Sequence, residues 1–227
     1  MNLNTVLFGI YPYLATTVCI VACWIRFDRE QYSWKAGSSQ LMRNRNMMIA
    51  SNLFHVGILF IFFGHLLGLL TPESVYHHVI STPNKQMLAI LSGGFFGILC
   101  FIGLTMLLHR RLTDERVKAT GSHADLAILV LLYIQLILGL LTIFVSAGHM
   151  DGSVMVLLAT WAQAIATFNP SVAVAAISDV HILYKLHIFF GLTIVLVFPF
   201  TRLVHMISAP IWYLGRRYQI VRGKSAW

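Results

Sequence analysis

Four histidines lie inside stretches apolar enough to belong in lipid. His55 and His65 sit in the run IASNLFHVGILFIFFGHLLGLL, residues 49–70, and His187 and His205 sit in residues 182–207. An ionisable side chain at that depth is costly and by default functional. Neutral imidazole is a normal axial ligand for haem iron. Two imidazoles from opposite sides close both axial positions, leaving a low-spin iron that passes electrons rather than one that binds oxygen. Two pairs of such histidines therefore predict two bis-histidine haems. No Cys-x-x-Cys-His run is present, so covalent c-type attachment is excluded.

The rest of the chain must hold these residues in a membrane. Of 227 residues, 58% are hydrophobic and 11% charged, against about 25% charged in a soluble domain; the mean hydropathy is +0.76. Five windows, roughly 5–25, 49–70, 87–108, 126–147 and 182–207, meet the ~20 residues needed to cross a ~30 Å hydrocarbon core. In lipid each must be helical, because no water is there to satisfy bare backbone. The reading is an all-α membrane protein with five transmembrane helices, a single dihaem membrane domain over residues 1–227. The first window carries Ile20-Val21-Ala22-Cys23, which looks like a lipoprotein cleavage site. Basic residues follow it and none precedes it, the reverse of a signal peptide, so it reads as a retained first helix.

The net charge of +8 suggests nucleic acid, but its distribution does not. Arg26, Arg29, Lys35, Arg43 and Arg45 follow the first span, Arg110, Arg111, Arg116 and Lys118 the third, and Arg216, Arg217, Arg222 and Lys224 the fifth. The two alternate loops hold Lys85 alone, which places the N-terminus outside and the C-terminus in the cytoplasm. Thr82-Pro83 reads as the start of the third helix, with Thr82 as N-cap. Between spans four and five, Val154, Leu157, Leu158, Trp161, Ile165 and Phe168 form a helix-spaced stripe that stops at Asn169-Pro170, predicting a short helix on the outer surface. Tyr11, Tyr13, Trp24, Tyr32, Trp34, Trp212 and Tyr213 read as interfacial anchors. Cys19, Cys23 and Cys100 read as small packing residues.

With this topology the second and fifth spans run in opposite directions. His65 then shares the outer level with His187, and His55 the inner level with His205. His55 to His65 is ten residues, or ~15 Å of helix rise, and His187 to His205 is eighteen, or ~27 Å. Eighteen residues is a whole number of turns, whereas ten leaves His55 and His65 about 80° apart, so tilt and a kink at Pro199 must absorb the difference. Gly57, Gly64, Gly68 and Gly191 beside the ligands leave room for a flat macrocycle or for close helix packing. His77, His78, His109, His123, His149 and His181 fall in loops or at span ends and read as solvated or interfacial side chains.

The runs SNLFHVGILFIFFGHLLGLLTPE, HMDGS and LHIFFGLTIVLVFPFTRLVH, with IYPYL near the start and YQIVR in the tail, resemble the gamma (cytochrome b) subunit of membrane-bound respiratory nitrate reductase. The resemblance covers nearly the whole chain. It implies a five-span dihaem b protein in the cytoplasmic (inner) membrane of a bacterium or archaeon. It implies two partners, a cytoplasmic iron–sulfur beta subunit and a molybdenum-containing alpha subunit. It implies a place in a quinol:nitrate oxidoreductase, with menaquinol or ubiquinol oxidised near the outer haem. His65 and His187 match the ligands of the distal, outer haem, and His55 and His205 those of the proximal, inner one. Lys85 stands where a lysine matters for quinol, and Gly64 lines the same region. Lys185 departs from the pattern, standing where an arginine is expected, and gives up the bidentate fork that suits a haem propionate.

The chain holds no Cys motif for an iron–sulfur cluster and no molybdenum ligands, so nitrate reduction belongs to a partner. A related dihaem b subunit serving a sulfur or heterodisulfide reductase is the nearest rival; HMDGS and the tail favour nitrate. A Zn²⁺ or proton transporter is a rival from another class. It requires carboxylates at mid-depth, and the Asp and Glu residues here fall in loops or at span ends. A passive anchor leaves the four histidines unexplained.

Overall fold

In a computed structural model, residues 2–34, 42, 44–208 and 215 are described. Lys35, Arg43, Trp212, Tyr213, the YQIVR run and the basic tail of Arg216, Arg217, Arg222 and Lys224 lie outside them. Among the described residues every regular element is helical. A π-helical turn, Thr5–Ile10, leads into α1 (Tyr11–Arg29). Then come α2 (Arg45–Leu70), the single turn α3 (Glu73–Tyr76), α4 (Thr82–Thr113), α5 (Glu115–Thr120) and α6 (His123–Ala147). The chain continues through α7 (Ser153–Ala166), α8 (Pro170–Ile177) and α9 (Ile182–Val197). Five of these helices are long and apolar enough to cross a membrane, the shortest 19 residues counting its 3₁₀ extension to Phe200, or ~28 Å.

Local chemistry fixes the helix starts. Asn44 accepts from the Met47 amide to begin α2, and Asp114 accepts from the amides of Arg116 and Val117 to begin α5. Ser122 and Asp125 satisfy each other's amides in a capping box at α6. The start of α4 differs from the expectation. Ser81 is its N-cap and Thr82 already belongs to the first turn. The Thr82 hydroxyl is spent elsewhere, donating to Glu73 Oε1 at 3.1 Å.

The spans pack in an open arc, α2 against α4, α4 against α6, α6 against α9, and α9 against α1. At the α2–α4 crossing a Cβ on Gly57 would sit 2.6 Å from Cys100 Cβ and 2.7 Å from Phe96 O. A Cβ on Gly103 would strike the Phe54 amide of α2. Small residues let two backbones approach where lipid offers no hydrophobic drive between helices. Gly57 is therefore a packing glycine. Phe60, Phe63, Leu67, Leu91 and Phe95 are all exposed, which suits acyl chains.

One end of the bundle carries a compact core. Phe8, Trp161, Ala164, Ala173, Ile177, Val180 and Tyr184 bury one another there, joining the π-turn, α7, α8 and the start of α9. The Trp161 indole N–H donates to Phe8 O at 3.0 Å, and the Tyr13 hydroxyl to Ile165 O at 3.2 Å. Tyr11 and Tyr13 were expected at the interface. Both are half-buried and hydrogen-bonded to other helices, Tyr11 lying 3.0 Å from Thr193 Oγ1 of α9. The stretch expected to hold one short helix holds two, because Pro170 stops α7 and then opens α8.

The last span also departs from expectation. It does not run helically to residue 207; α9 ends at Val197, and two 3₁₀ turns follow, Phe198–Phe200 and Arg202–Met206. Pro199 lacks an N–H and its ring crowds the preceding turn. Beyond the helix end the carbonyls of Pro199 and Thr201 need donors from elsewhere. Arg26 of α1 supplies them, donating to Pro199 O and, at 3.0 Å, to Thr201 O. His205 consequently sits on a 3₁₀ turn, and the whole-turn relation to His187 does not apply.

Candidate functional site

The open side of the arc faces α2 with α9 and the turn that follows it, and the four candidate histidines meet across it. The His65 and His187 rings lie 6.0 Å apart, centre to centre, with 41° between their planes. The His55 and His205 rings lie 6.5 Å apart at 71°. Metal–imidazole bonds are ~2.0–2.1 Å, and a ring centre lies about 1.1 Å behind Nε2, so two axial imidazoles on one metal put their ring centres roughly 6.3 Å apart. Both pairs match that separation.

The second nitrogens support the same use. His65 Nδ1 lies 2.8 Å from Ile61 O, His55 Nδ1 2.7 Å from Ser51 O, and His205 Nδ1 2.6 Å from Arg202 O. Each donates Nδ1–H to a backbone carbonyl, which fixes the tautomer and leaves Nε2 as the free lone pair, the usual arrangement of a ligating histidine. His187 is the exception. Its Nδ1 is buried with no hydrogen-bond partner among the described residues, and its Nε2 lies 3.4 Å from the Gln135 amide nitrogen of α6. A Cβ on Gly139 would sit 3.0 Å from His187 Cε1, so α6 presses directly on this ring.

The glycines divide by role. A Cβ on Gly64 or Gly68 would meet no described atom within 4 Å, so the surface beside His65 is open enough for a flat ring or a quinone headgroup. Gly191 instead faces the Gln135 amide at 3.2 Å. Among the described residues no cluster of three or more His, Cys, Asp or Glu forms a bare metal centre. Each pair supplies two nitrogens. That suits a macrocycle bringing its own equatorial donors, whereas zinc takes three or four ligands from the protein.

Lys85 reaches from the first turns of α4 to the carbonyl of Gly68, three residues beyond His65 on α2. Its Nζ donates to Gly68 O at 3.0 Å and sits 3.5 Å from the centre of the Tyr76 ring. The carbonyl end of α2 attracts a cation, and the aromatic face adds to the hold. Gln163 of α7 donates to the next carbonyl, Leu69 O, at 2.9 Å. HMDGS builds the neighbouring turn. Asp151 accepts from the Ser153 hydroxyl and amide, which hold its carboxyl below the usual carboxylate range. Gly152 takes φ +82°, a value favouring glycine, and its missing Cβ makes room for Thr82. Lys185 spends its ammonium on Ser178 O at 2.7 Å, at the end of α8.

At the opposite end Asp125 ties the His205 turn to the bundle. Its carboxylate lies 3.5 Å from Arg111 Nη2 and 3.7 Å from Arg202 Nε, and Arg202 O is the acceptor for His205. Sequence reasoning passed over Gln86, Gln135 and Gln163, three uncharged polar side chains in apolar surroundings. Their type was a usable signal, since polar groups in lipid need partners. Gln86, for instance, bonds Ser146 and His149 of the α6 end at 2.8–3.0 Å.

Comparison with known proteins agrees with this architecture. A family model described as "Nitrate reductase gamma subunit" matches residues 4–224. The respiratory nitrate reductase 1 and 2 gamma chains of Escherichia coli K12 are 48% and 49% identical over 98% of this chain and 98% of theirs. The nitrate reductase gamma chain of Bacillus subtilis 168 is 34% identical over 97% of this chain and 98% of its own. A match of this extent, on a chain with five helices apolar enough to span a membrane, shows that the protein belongs to the nitrate reductase gamma subunit family.

Proposed function

We propose that the chain is the quinol-oxidising, dihaem b membrane subunit of a respiratory nitrate reductase. The observation that carries this reading is the pair of imidazole couples at 6.0 and 6.5 Å, three of whose four rings give Nδ1–H to backbone. His65 and His187 hold the outer haem, and His55 and His205 the inner one. When bound, the haems supply one-electron transfer between the two faces of the membrane.

The protein's own residues do the rest. Quinol, either menaquinol or ubiquinol, enters from the lipid beside Gly64 and Gly68. Lys85 binds one of its oxygens with a charge-assisted hydrogen bond, worth about 1.5–3 kcal/mol. The N-terminus faces outside and the C-terminus the cytoplasm, so α7, α8 and Lys85 lie at the outer face of the inner membrane. Protons of the quinol are released there. The basic loop residues on the inner side set this orientation and meet the iron–sulfur beta subunit, behind which the molybdenum-containing alpha subunit reduces nitrate. Taking electrons inward while protons stay outside stores roughly 2.3 kcal/mol per charge per 100 mV.

Sealed, inverted membrane vesicles holding the complete complex test this reading. Adding a reduced quinol and nitrate is expected to acidify the vesicle lumen, which corresponds to the outer side. Acidification of the medium instead, with the lumen turning alkaline, contradicts the assigned orientation of the quinol site.

A further inference from the structure

Lys85 can hold a quinol oxygen but cannot take its proton, because an ammonium has three donors and no acceptor. Gly68 O, its partner, is a carbonyl with no proton to pass on. Beside them runs a short hydrogen-bonded file. Tyr76, buried, lies with its ring under Lys85 Nζ at 3.5 Å. Its hydroxyl is 3.3 Å from Thr82 Oγ1, and Thr82 Oγ1 donates to Glu73 Oε1 at 3.1 Å. Because Thr82 gives its proton to Glu73, Tyr76 is the donor in the first bond. Every link then points one way, from the Lys85 side to a carboxylate. The Glu73 side chain is 53% exposed and lies 3.9 Å from the 58% exposed His77, so the file ends at water. Thr82 is pinned by Gly152 on one side, and its hydroxyl is free of capping duty.

We propose that Tyr76, Thr82 and Glu73 form the path by which a proton leaves the quinol held at Lys85. The inference rests on the reading of Lys85 as the quinol-binding residue. The quinol O–H bond breaks as its electron departs for the haem held by His65 and His187. The Tyr76 oxygen accepts that proton while its own hydroxyl proton passes to Thr82 Oγ1, and the Thr82 proton passes to Glu73 Oε1. Glu73 releases it to water. Both hydroxyls finish with one proton each, so one proton crosses per electron delivered. Glu73 is the terminal acceptor, and Tyr76 and Thr82 are carriers.

The test uses the complete complex, with quinol-driven haem reduction followed by stopped flow and binding of a non-oxidisable quinol analogue measured separately. Thr82→Val keeps the shape of the side chain and removes the hydroxyl, and Tyr76→Phe keeps the ring under Lys85. Each is expected to slow reduction on the order of 10²-fold, the usual share of a positioned proton-transfer group, while analogue affinity stays unchanged. Glu73→Gln is expected to do the same and to remove a carboxyl infrared band that appears on quinol oxidation in the unaltered complex. Thr82→Ser, which restores a hydroxyl, is expected to recover the rate. Rates within twofold of the unaltered complex for Thr82→Val and Tyr76→Phe overturn the relay. So does a rate loss matched by an equal loss of analogue affinity, which marks a positioning role. Lys85→Ala, run in parallel, separates the two levels. If it leaves turnover intact, the quinol site itself is misplaced; if it stops turnover while the hydroxyl variants do not, only the relay fails.

Discussion

Lys85→Ala in the assembled complex is expected to keep both haems and to lower quinol-driven haem reduction by on the order of 10- to 100-fold, the value of one charge-assisted hydrogen bond. The geometry explains why the loss is confined to this step. Lys85 Nζ touches Gly68 O and the Tyr76 ring and no histidine nitrogen, so its removal leaves both imidazole couples in place. Dithionite, which needs no quinol site, is expected to reduce the variant fully. Lys85→Arg keeps the charge but exchanges a compact ammonium over Tyr76 for a planar fork, and is expected to fall between the two. The measurement is the rate of the b-type absorption change after mixing with a reduced quinol. An unchanged rate in Lys85→Ala rejects the role assigned to the lysine.

His65→Ala is expected to remove one haem and leave the other. The two couples lie at opposite ends of the open face between α2 and α9, and they share no ligand. The His55–His205 couple is held by its own contacts, Ser51 O for His55 and the Arg202 turn for His205. The turn is anchored in turn by Asp125 and Arg26. Loss of the ring at residue 65 opens no route to either anchor. Haem content is therefore expected to fall from two to one per chain, with the spectrum of the remaining haem unaltered. His55→Ala is expected to give the complementary spectrum. Simultaneous loss of both haems in either variant contradicts independent couples.

Much of this arrangement was legible in the residues. Apolar length alone located the spans, and the depth of each histidine predicted which rings would meet. Depth survives small errors of geometry, because crossing the couples would require reaching through most of the membrane. The details that were not legible depend on partners distant in sequence. Where Pro199 sits, a kink and a helix end are equally consistent with the local sequence; Arg26, 173 residues earlier, supplies the donors that let the backbone leave the helix. Thr82 has the type and place of an N-cap, but Glu73 on the preceding turn competes for its hydroxyl and wins. Gly57 and Gly64 are both small residues near a ligand. Only the packing separates them, with Cys100 against one and open space beside the other. Tyr11 and Tyr13 read as interface anchors, and their hydrogen-bond partners on α9 and α7 lie too far along the chain to be read from the local sequence.

The family relation places this chain among nitrate reductase gamma subunits, and the paired histidines are what the proposed electron-transfer role rests on. The most direct test of that account is a haem count on the purified complex by pyridine haemochrome, with low-temperature electron paramagnetic resonance of the oxidised sample. Two b-type haems per chain, both low-spin with two nitrogen axial ligands, are the result expected from couples at 6.0 and 6.5 Å. A single haem, a high-spin signal from a five-coordinate iron, or no haem at all contradicts it.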